Sequence, residues 1–178
     1  TEVPPDARRV RVGIGLHSGP VILGTIGSPV RMDSTVLGLT VNLAKRLEEL
    51  TKLLGVDMVI SGQVACQLPR EAPHHLRVLG EIVTKGSSAP ITIAEVYDHD
   101  LTELKELKNR VVPVVAEGMA LCRSGQLQAA LSIIEAAKSL YPQDRSLQLL
   151  AASLERALGQ GKKSGESILL DLREDPFS

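Results

Sequence analysis

Two polar side chains, Asn42 and Arg46, are spaced so that they could act together on one ligand. They lie four residues apart in a segment whose leucines predict a helix, so both project from one face about a turn apart. The planar guanidinium of arginine stays charged and binds oxyanions with two parallel hydrogen bonds, and an asparagine amide can bind a hydroxyl group. An active-site pair and an ordinary solvated helix face both fit this spacing.

The segment that carries the pair predicts an amphipathic helix over residues 39–54. Apolar side chains recur there at spacings of three and four, which is the period of one helix face. Gly55 is placed to end the helix as a C-terminal cap. The apolar stripe consists of Leu39, Leu43, Leu47, Leu50 and Leu54.

The residues before this helix predict the beginning of a β-sheet. Strict alternation over residues 9–17 predicts a half-buried strand, with aliphatic side chains on one face and Gly13, Gly15 and His17 on the other. Residues 21–26 predict its hairpin partner. His17, on the polar face, is interpreted as structural, and hairpin geometry explains the glycines better than a phosphate-binding loop does.

The residues that follow complete a small α/β domain that reaches residue 97. Gly24 indicates a bulge or a close backbone approach inside the second strand. A loop is predicted over residues 27–34 and a short helix over residues 62–68. Further strands are predicted at 35–37, 57–61, 76–83 and 91–97.

The character of the chain changes after Asp100, because residues 103–158 are rich in Ala and Leu at helical spacing. Small residues and a proline recur there at the spacing of one tetratricopeptide repeat, in which two helices pack closely. A single repeat cannot stand alone, so we expect it to lean on a neighbour. Residues 161–178 predict a flexible linker and tail. The positions that fit the repeat are Gly118, Leu121, Gly125, Ala130, Ile134, Ala137 and Pro142.

Composition excludes several classes of function. The net charge is −1 and only 2% of the 178 residues are aromatic, so neither a polyanion-binding surface nor a base-stacking platform is expected. Cys66 and Cys122 lack metal-ligand spacing and predict buried, reduced thiols, and His74 and His75 predict no metal site. No apolar run is long enough to cross a membrane. The first residue is not Met, so we expect a cut inside a longer protein.

Residues 8–98 resemble the C-terminal half of class III adenylyl and guanylyl cyclase catalytic domains. The family pattern of a glycine-rich strand, a Gly-x-x-Gly hairpin and a helix carrying Asn and Arg occurs here in order and at the right spacing. Residues 76–97 resemble the closing strands with their Lys-Gly turn. The matching stretches are Gly13–Gly19, Gly24 with Gly27, and Thr35–Arg46.

The resemblance implies an α/β (α+β) ferredoxin-like cyclase fold, here incomplete, followed by a small all-helical tetratricopeptide-like segment. We expect residues 1–98 to be the cyclase part, 101–160 the helical segment and 161–178 the linker and tail. Bacterial cyclases of this type often carry such a helical tail. The parent protein is expected on the cytoplasmic side, where upstream segments could anchor it to a membrane.

The resemblance also assigns roles to four residues. Asn42 corresponds to the residue that binds the ribose, and Arg46 to the one that contacts the α-phosphate. Lys85 corresponds to the lysine that holds the triphosphate. Thr35 corresponds to the purine-selecting position, where Thr is similar to bacterial adenylyl cyclases, so ATP is favoured over GTP. The Mg²⁺ or Mn²⁺ ligands of the family are expected upstream of this chain, and no metal ligand is assigned within it.

Three local departures leave a degenerate relative open. Leu39 occupies the place of the usual Asp or Asn, Ser34 that of an aromatic or polar residue, and Lys45 that of a small residue. Leu39 cannot cap the helix, so Thr40 is expected to take over that role.

The resemblance implies part of an adenylyl cyclase whose site forms between two subunits of a homodimer. The fragment is expected to be inactive alone and to hide its exposed sheet by dimerising or by docking its helices. The alternatives are a cyclase-like nucleotide-sensing or scaffolding module, with the helical segment serving a protein partner, and a free-standing repeat adaptor over residues 103–158.

Overall fold

The computed structural model describes residues 11–28, 31–69, 74–83 and 89–160. Six strands and two helices are followed by three long helices, which confirms the expected α+β class with a helical segment after it. The first and last segments of the chain, including 161–178, lie outside the described residues. The elements are β1 Ile14–Leu16, β2 Ile22–Ser28, β3 Arg31–Leu37, α1 Leu39–Leu54, β4 Met58–Ser61, α2 Gly62–Ala65, β5 Leu76–Ile82, β6 Ile91–Val96, α3 Thr102–Arg123, α4 Leu127–Leu140 and α5 Arg145–Gly159.

Helix α1 has the predicted bounds, because its leucine stripe and its terminating glycine act locally. Leu43, Leu47, Leu50 and Leu54 are buried, whereas Leu39 is 65% exposed and lies outside the stripe. Gly55 adopts the left-handed conformation at φ 71°, which confirms it as the C-terminal cap. The start of the helix differs from the expectation, since no side chain caps it at Gly38.

The predicted pairing of the first two strands is wrong. β1 pairs in parallel with β4 and lies at one edge of a four-stranded sheet in the order β1-β4-β6-β5, whose other pairs are antiparallel. β2 instead pairs with β3 in a separate antiparallel hairpin. The predicted loop at 27–34 therefore belongs largely to strands. Because β3 follows β2 immediately, the hairpin forms from neighbouring residues.

Gly15 in β1 and Gly13 just before it allow helix α1 to approach the sheet. A Cβ atom on Gly15 would lie 2.2 Å from the Glu48 amide nitrogen and 2.3 Å from the Ala44 carbonyl oxygen. The glycine face of the strand is therefore the inner one, and Ile14 and Leu16 on the aliphatic face stay partly exposed. Hairpin geometry, which the sequence favoured, does not explain Gly13 and Gly15.

Gly24 occupies a different environment from Gly15. The β2–β3 ladder runs without a register shift through the Gly24–Thr35 pair, so the predicted bulge is absent. A Cβ atom on Gly24 would meet nothing within 4 Å in the described part of the chain. This glycine therefore leaves open space beside Thr35.

Helices α3 and α5 pack against β5 of the sheet, α5 also contacts α1, and α4 packs on α3 and α5. Gly118 on α3 lets α4 approach, since a Cβ atom there would lie 2.7 Å from Ile134 Cδ1. Asp144 caps α5 by accepting hydrogen bonds from the backbone amides of Ser146 and Leu147. One continuous apolar core joins leucines of α1, residues of the sheet and residues of all three long helices.

Five charged residues are enclosed where the helices meet the sheet. Arg77 on β5 donates to Glu95 on β6 at 2.7 Å and to Asp144 at the start of α5. Lys108 on α3 donates to Glu95 and to Asp100, the latter at 2.6 Å. Burial acts to lower the pKa values of Arg77 and Lys108, but the surrounding carboxylates outweigh it and raise both. We call these five residues the buried charge network.

The helical segment covers one face of the sheet and leaves the other partly open. Exposed aliphatic side chains on the open face include Ile14, Leu16 and Val78. The expectation that docking of the helices would hide the sheet is therefore met on one face. The hairpin adds further exposed apolar side chains, namely Ile22, Leu23, Met32, Val36 and Leu37.

The close approach at Gly15 predicts a measurable stability difference between two glycines. Gly15→Ala should lower the free energy of unfolding by about 1–3 kcal/mol, because backbone atoms of α1 would have to move. Gly24→Ala, in open space, should leave it unchanged or slightly higher. Urea unfolding of both variants tests this, and equal effects would contradict the close packing.

The buried charge network predicts that losing its arginine is costly. Arg77→Met should lower the free energy of unfolding by about 3–5 kcal/mol, because Glu95 and Asp144 remain buried without it. The matched change Arg11→Met breaks a 3.0 Å pair with Asp57 whose arginine side chain is 71% exposed, so it should cost less than about 1 kcal/mol.

Urea unfolding of the two variants measures this difference. Equal losses in Arg77→Met and Arg11→Met would show that the buried charge network adds no more to stability than an exposed ion pair.

Candidate active site

The outer face of α1 carries a stripe of three polar side chains. Asn42, Arg46 and Glu49 follow each other at spacings of four and three, so they lie along one line on the helix. Asn42 is exposed, whereas the Arg46 side chain is only 26% exposed. We call these three residues the polar stripe. The structure therefore places the two predicted catalytic residues side by side, as their spacing required.

The polar stripe is held in place because α1 is fixed at both ends and along its length. The Thr40 hydroxyl donates to the Pro20 carbonyl oxygen at 2.6 Å, which ties the start of the helix to the turn after β1. Thr40 is thus a tether and not the predicted cap. Gly15 fixes the middle, and the Ser146 hydroxyl of α5 donates to the Leu54 carbonyl oxygen at 3.3 Å.

Arg46 forms an ion pair within the polar stripe. Its Nη1 atom lies 3.5 Å from Oε2 of Glu49, and the other carboxylate oxygen lies 3.6 Å from Nζ of Lys45. The Lys45 side chain is 75% exposed, so water screens it more than the quarter-exposed Arg46–Glu49 pair. Arg46 thus has a counter-ion on its own helix.

Thr35 lies on the strand that leads into α1. It is half-buried on β3, opposite Gly24, and Gly38 joins this strand directly to the helix. Three of the four predicted site residues therefore lie on two consecutive elements. Lys85, the fourth, lies outside the described residues, in the connection between β5 and β6.

His17, the residue directly after β1, is linked to the end of β4. His17 Nδ1 and the Ser61 hydroxyl form a hydrogen bond of 2.9 Å, and Ser61 also caps the short helix α2. Burial lowers the pKa of His17, so it is neutral at pH 7. These contacts support the structural role that its position in the strand indicated.

The described residues do not fit a metal centre. Among them, no three His, Cys, Asp or Glu side chains come close enough together to hold a metal ion. His75 does pair with Asp98 at 2.9 Å, a contact between residues 23 positions apart that the sequence did not indicate.

The two thiols differ in their surroundings. Cys122 is buried, and burial raises its pKa to about 11, so it is an inert thiol as predicted. Cys66 is exposed, which contradicts the expectation that both thiols are buried. It follows the last turn of α2, on the surface of the molecule.

Comparison with known proteins identifies the family. The model of the adenylate and guanylate cyclase catalytic domain matches residues 2–95, just over half of the chain. The chain belongs to this family. The match ends at β6, so it includes the polar stripe of α1 and leaves out α3, α4 and α5.

Two curated relatives of this cyclase-family chain are adenylate cyclases. One, from Anabaena cylindrica, is 43% identical over 89 residues, which are 49% of this chain and 18% of that protein. The other, a terminal-differentiation-specific adenylate cyclase of Dictyostelium discoideum, is 30% identical over 142 residues, or 76% of this chain and 6% of that protein. The chain thus spans less than a fifth of either relative.

A solved structure of a bacterial light-regulated adenylyl cyclase is also similar. It is 31% identical with a TM-score of 0.42, covering 53% of this chain and 28% of that one. Among the described helices, none has the length and apolar character needed to cross a lipid bilayer.

Two positioning features of this cyclase-family site escaped the sequence-based prediction. Glu49 lies three residues after Arg46, and that spacing was itself a signal for an ion pair on the helix. The sequence indicated the close packing of Gly15 against Ala44 only weakly. Its signal was the alternation along the strand, which places the glycines on the face opposite the aliphatic residues. Both features act through α1.

The lowered pKa of His17 predicts a contribution to pH-dependent stability. A folded-state pKa below the ordinary value of 6.5 means that the unfolded chain binds this proton more readily, so stability falls as the pH drops below about 6.5. His17→Gln should therefore show a smaller loss of stability than the parent sequence between about pH 7.5 and pH 5. Urea unfolding of the variant and the parent sequence at both pH values measures this, and an equal loss of stability in the two would contradict the role given to His17.

Proposed function

We propose that this chain is part of an adenylyl cyclase that converts ATP to cyclic AMP and pyrophosphate. The observation that carries the proposal is the position of Asn42 and Arg46, one turn apart on the outer face of a helix that is anchored at both ends. An anchored helix supports catalysis because phosphoryl transfer depends mainly on positioning and charge stabilisation. Membership of the cyclase family and the adenylate cyclase relatives support this choice.

In the proposed reaction the ribose 3′-OH attacks the α-phosphorus and gives up its proton to water, a new P–O bond closes the ring, and the bond to pyrophosphate breaks. Asn42 binds the ribose and sets the angle of attack. Arg46 binds the α-phosphate oxygens with its planar fork and stabilises the charge that shifts during displacement. Thr35 contacts the purine and favours ATP over GTP, with open space beside it at Gly24.

Two further parts of the nucleotide site are proposed to lie beyond these residues. Lys85 holds the triphosphate from the connection after β5. Mg²⁺ or Mn²⁺, which the family resemblance implies, has no fitting ligand set in the part of the chain that the structure describes. The roles proposed for Asn42, Arg46 and Thr35 are therefore limited to binding and orienting the nucleotide.

The exposed apolar surface supports a homodimer with the site at its interface. A two-stranded hairpin alone is marginally stable in water, yet β2 and β3 expose Ile22, Leu23 and Met32 to solvent. Apolar surface of this kind usually marks a protein contact. Since one copy supplies no metal ligands among its described residues, the isolated chain is proposed to be inactive.

The helical segment is proposed to be a tetratricopeptide-like unit that folds together with the cyclase part. The proposed parts remain residues 1–98, 101–160 and 161–178, the last as linker and tail. The shared apolar core argues against a free-standing repeat adaptor. The outer surface of the three helices is left for a protein partner. A location on the cytoplasmic side, where ATP is available, belongs to the same proposal.

The second candidate function is a nucleotide-sensing or scaffolding module without catalysis. Its supporting observation is the start of α1, where Leu39 stands in the place of the family's Asp or Asn, Gly38 is the N-cap residue and no side chain caps the helix. A weaker helix start would loosen Asn42, which lies one turn further on. Product formation by the full-length parent separates the two candidates.

The proposed role of Arg46 predicts a large and specific loss of activity. In the full-length parent, assayed with ATP and Mg²⁺ or Mn²⁺, Arg46→Ala should lower kcat about 10²–10³-fold, because transition-state charge loses its donor. Arg110→Ala, at an exposed arginine of α3, should leave kcat unchanged. The 178-residue chain alone should form no cyclic AMP. A parent without product, or an Arg46→Ala variant as active as the parent, would refute the proposed enzyme.

A further inference from the structure

We propose that Glu49 is a positioning residue, whose carboxylate holds the guanidinium of Arg46 along the polar stripe of α1. This inference rests on the proposed function, since it assigns a task to the residue that would act on the α-phosphate. Glu49 itself does not need to touch the nucleotide. Its effect passes through the position of Arg46.

The geometry of the polar stripe supports this role. Oε2 of Glu49 lies 3.5 Å from Nη1 of Arg46, and the two side chains are 27% and 26% exposed. The pair is therefore partly shielded from water. The second partner of Glu49 is Lys45, whose side chain lies beside the polar stripe and projects into solvent. Oε1 of the same carboxylate faces Lys45, so Glu49 spans two cations and its own orientation is restricted.

The flexibility of an arginine side chain explains why an ion pair beside it would aid catalysis. An arginine side chain has several rotatable bonds, so an unrestrained guanidinium visits many positions around the helix. Displacing a group that must meet a reacting atom by about 1 Å can cost two orders of magnitude in rate. A carboxylate one turn along the helix restricts these positions before the nucleotide arrives.

A carboxylate beside a triphosphate site also has an opposite effect. Its negative charge repels the triphosphate, so removing that charge should help binding or leave it unchanged. Positioning therefore predicts a fall in kcat without a rise in KM when Glu49 is neutralised. Simple repulsion predicts a fall in KM alone, and an ordinary helix ion pair predicts no change in either quantity.

The kinetic test uses Glu49→Gln in the full-length parent, a change that keeps the size of the side chain. We expect kcat to fall about tenfold while KM for ATP stays equal or falls. The matched control is Glu135→Gln on α4, which breaks a 2.6 Å pair with Lys138 at the same spacing of three residues. This control should leave both constants unchanged. A kcat of Glu49→Gln within about twofold of the parent overturns the inference.

A double substitution tests whether Glu49 acts through Arg46. Arg46→Ala removes the group that Glu49 is proposed to orient, whereas a lysine there would keep a cation able to pair with the carboxylate, as Lys138 does with Glu135. Adding Glu49→Gln to Arg46→Ala should then lower kcat no further. A second tenfold fall in the double variant would show an effect independent of Arg46 and would overturn the inference.

A measurement on the 178-residue chain needs no activity. The ¹⁵Nε–Hε signal of Arg46, assigned by its loss in Arg46→Lys, should show restricted motion in its heteronuclear NOE and become more mobile in Glu49→Gln. The same NOE in both proteins overturns the inference. A mobile signal in the unsubstituted chain overturns the inference.

The kinetic outcomes separate this inference from the proposed function. A parent that forms cyclic AMP, loses it with Arg46→Ala and keeps it with Glu49→Gln leaves the enzyme standing and refutes the role of Glu49. A parent that forms no product refutes the proposed function, and the positioning role with it.

Discussion

The buried charge network is the constraint on which the arrangement of this chain depends. Arg77 and Lys108 lie out of water between three carboxylates that come from β6, from the residues before α3 and from the start of α5. A buried charge without its partner is strongly destabilising, so the sheet and the helices must be assembled together for any of these charges to be satisfied. Unlike an apolar contact, which tolerates sliding, such a set of directional bonds admits one register between β5, β6, α3 and α5. It therefore fixes where the helical segment lies on the sheet.

That fixed position carries over to the proposed catalytic helix. Asp144 both accepts a hydrogen bond from Arg77 and caps α5, and two residues later Ser146 donates to the last turn of α1. The helical segment thus holds the C-terminal end of α1, while β1 holds its middle through Gly15 and the turn after β1 holds its start through Thr40. The family match ends before α3. A segment outside the matched domain nevertheless supports the helix that carries the polar stripe.

Interactions between residues close in sequence could be predicted, whereas contacts between distant segments could not. Helix α1 and its cap at Gly55 could be predicted because leucine spacing and a terminal glycine act within one segment. The family motif likewise brought Asn42 and Arg46 together from neighbouring positions. The parallel pairing of β1 with β4 was missed because alternation reports which residues share a face and not which strand lies alongside. The contact of Arg77 with Asp144 joins residues 67 positions apart, and no periodicity records such a partner.

The orientation of the glycine face of β1 follows from the same limit and bears on the proposed site. Alternation alone suggested that aliphatic side chains would point inward, but α1 needs a strand without side chains in order to approach, so the glycines face inward and Ile14 and Leu16 face outward. The orientation of β1 therefore has two consequences: α1 packs closely on the glycine face, and the aliphatic side chains of the strand are exposed on the other face. A transition-state charge is stabilised best where water is excluded, and an exposed helix face such as that of Asn42 cannot exclude water by itself. In the proposed homodimer this cover comes from the second subunit, and the apolar side chains exposed on the outer face of β1 are available for that contact.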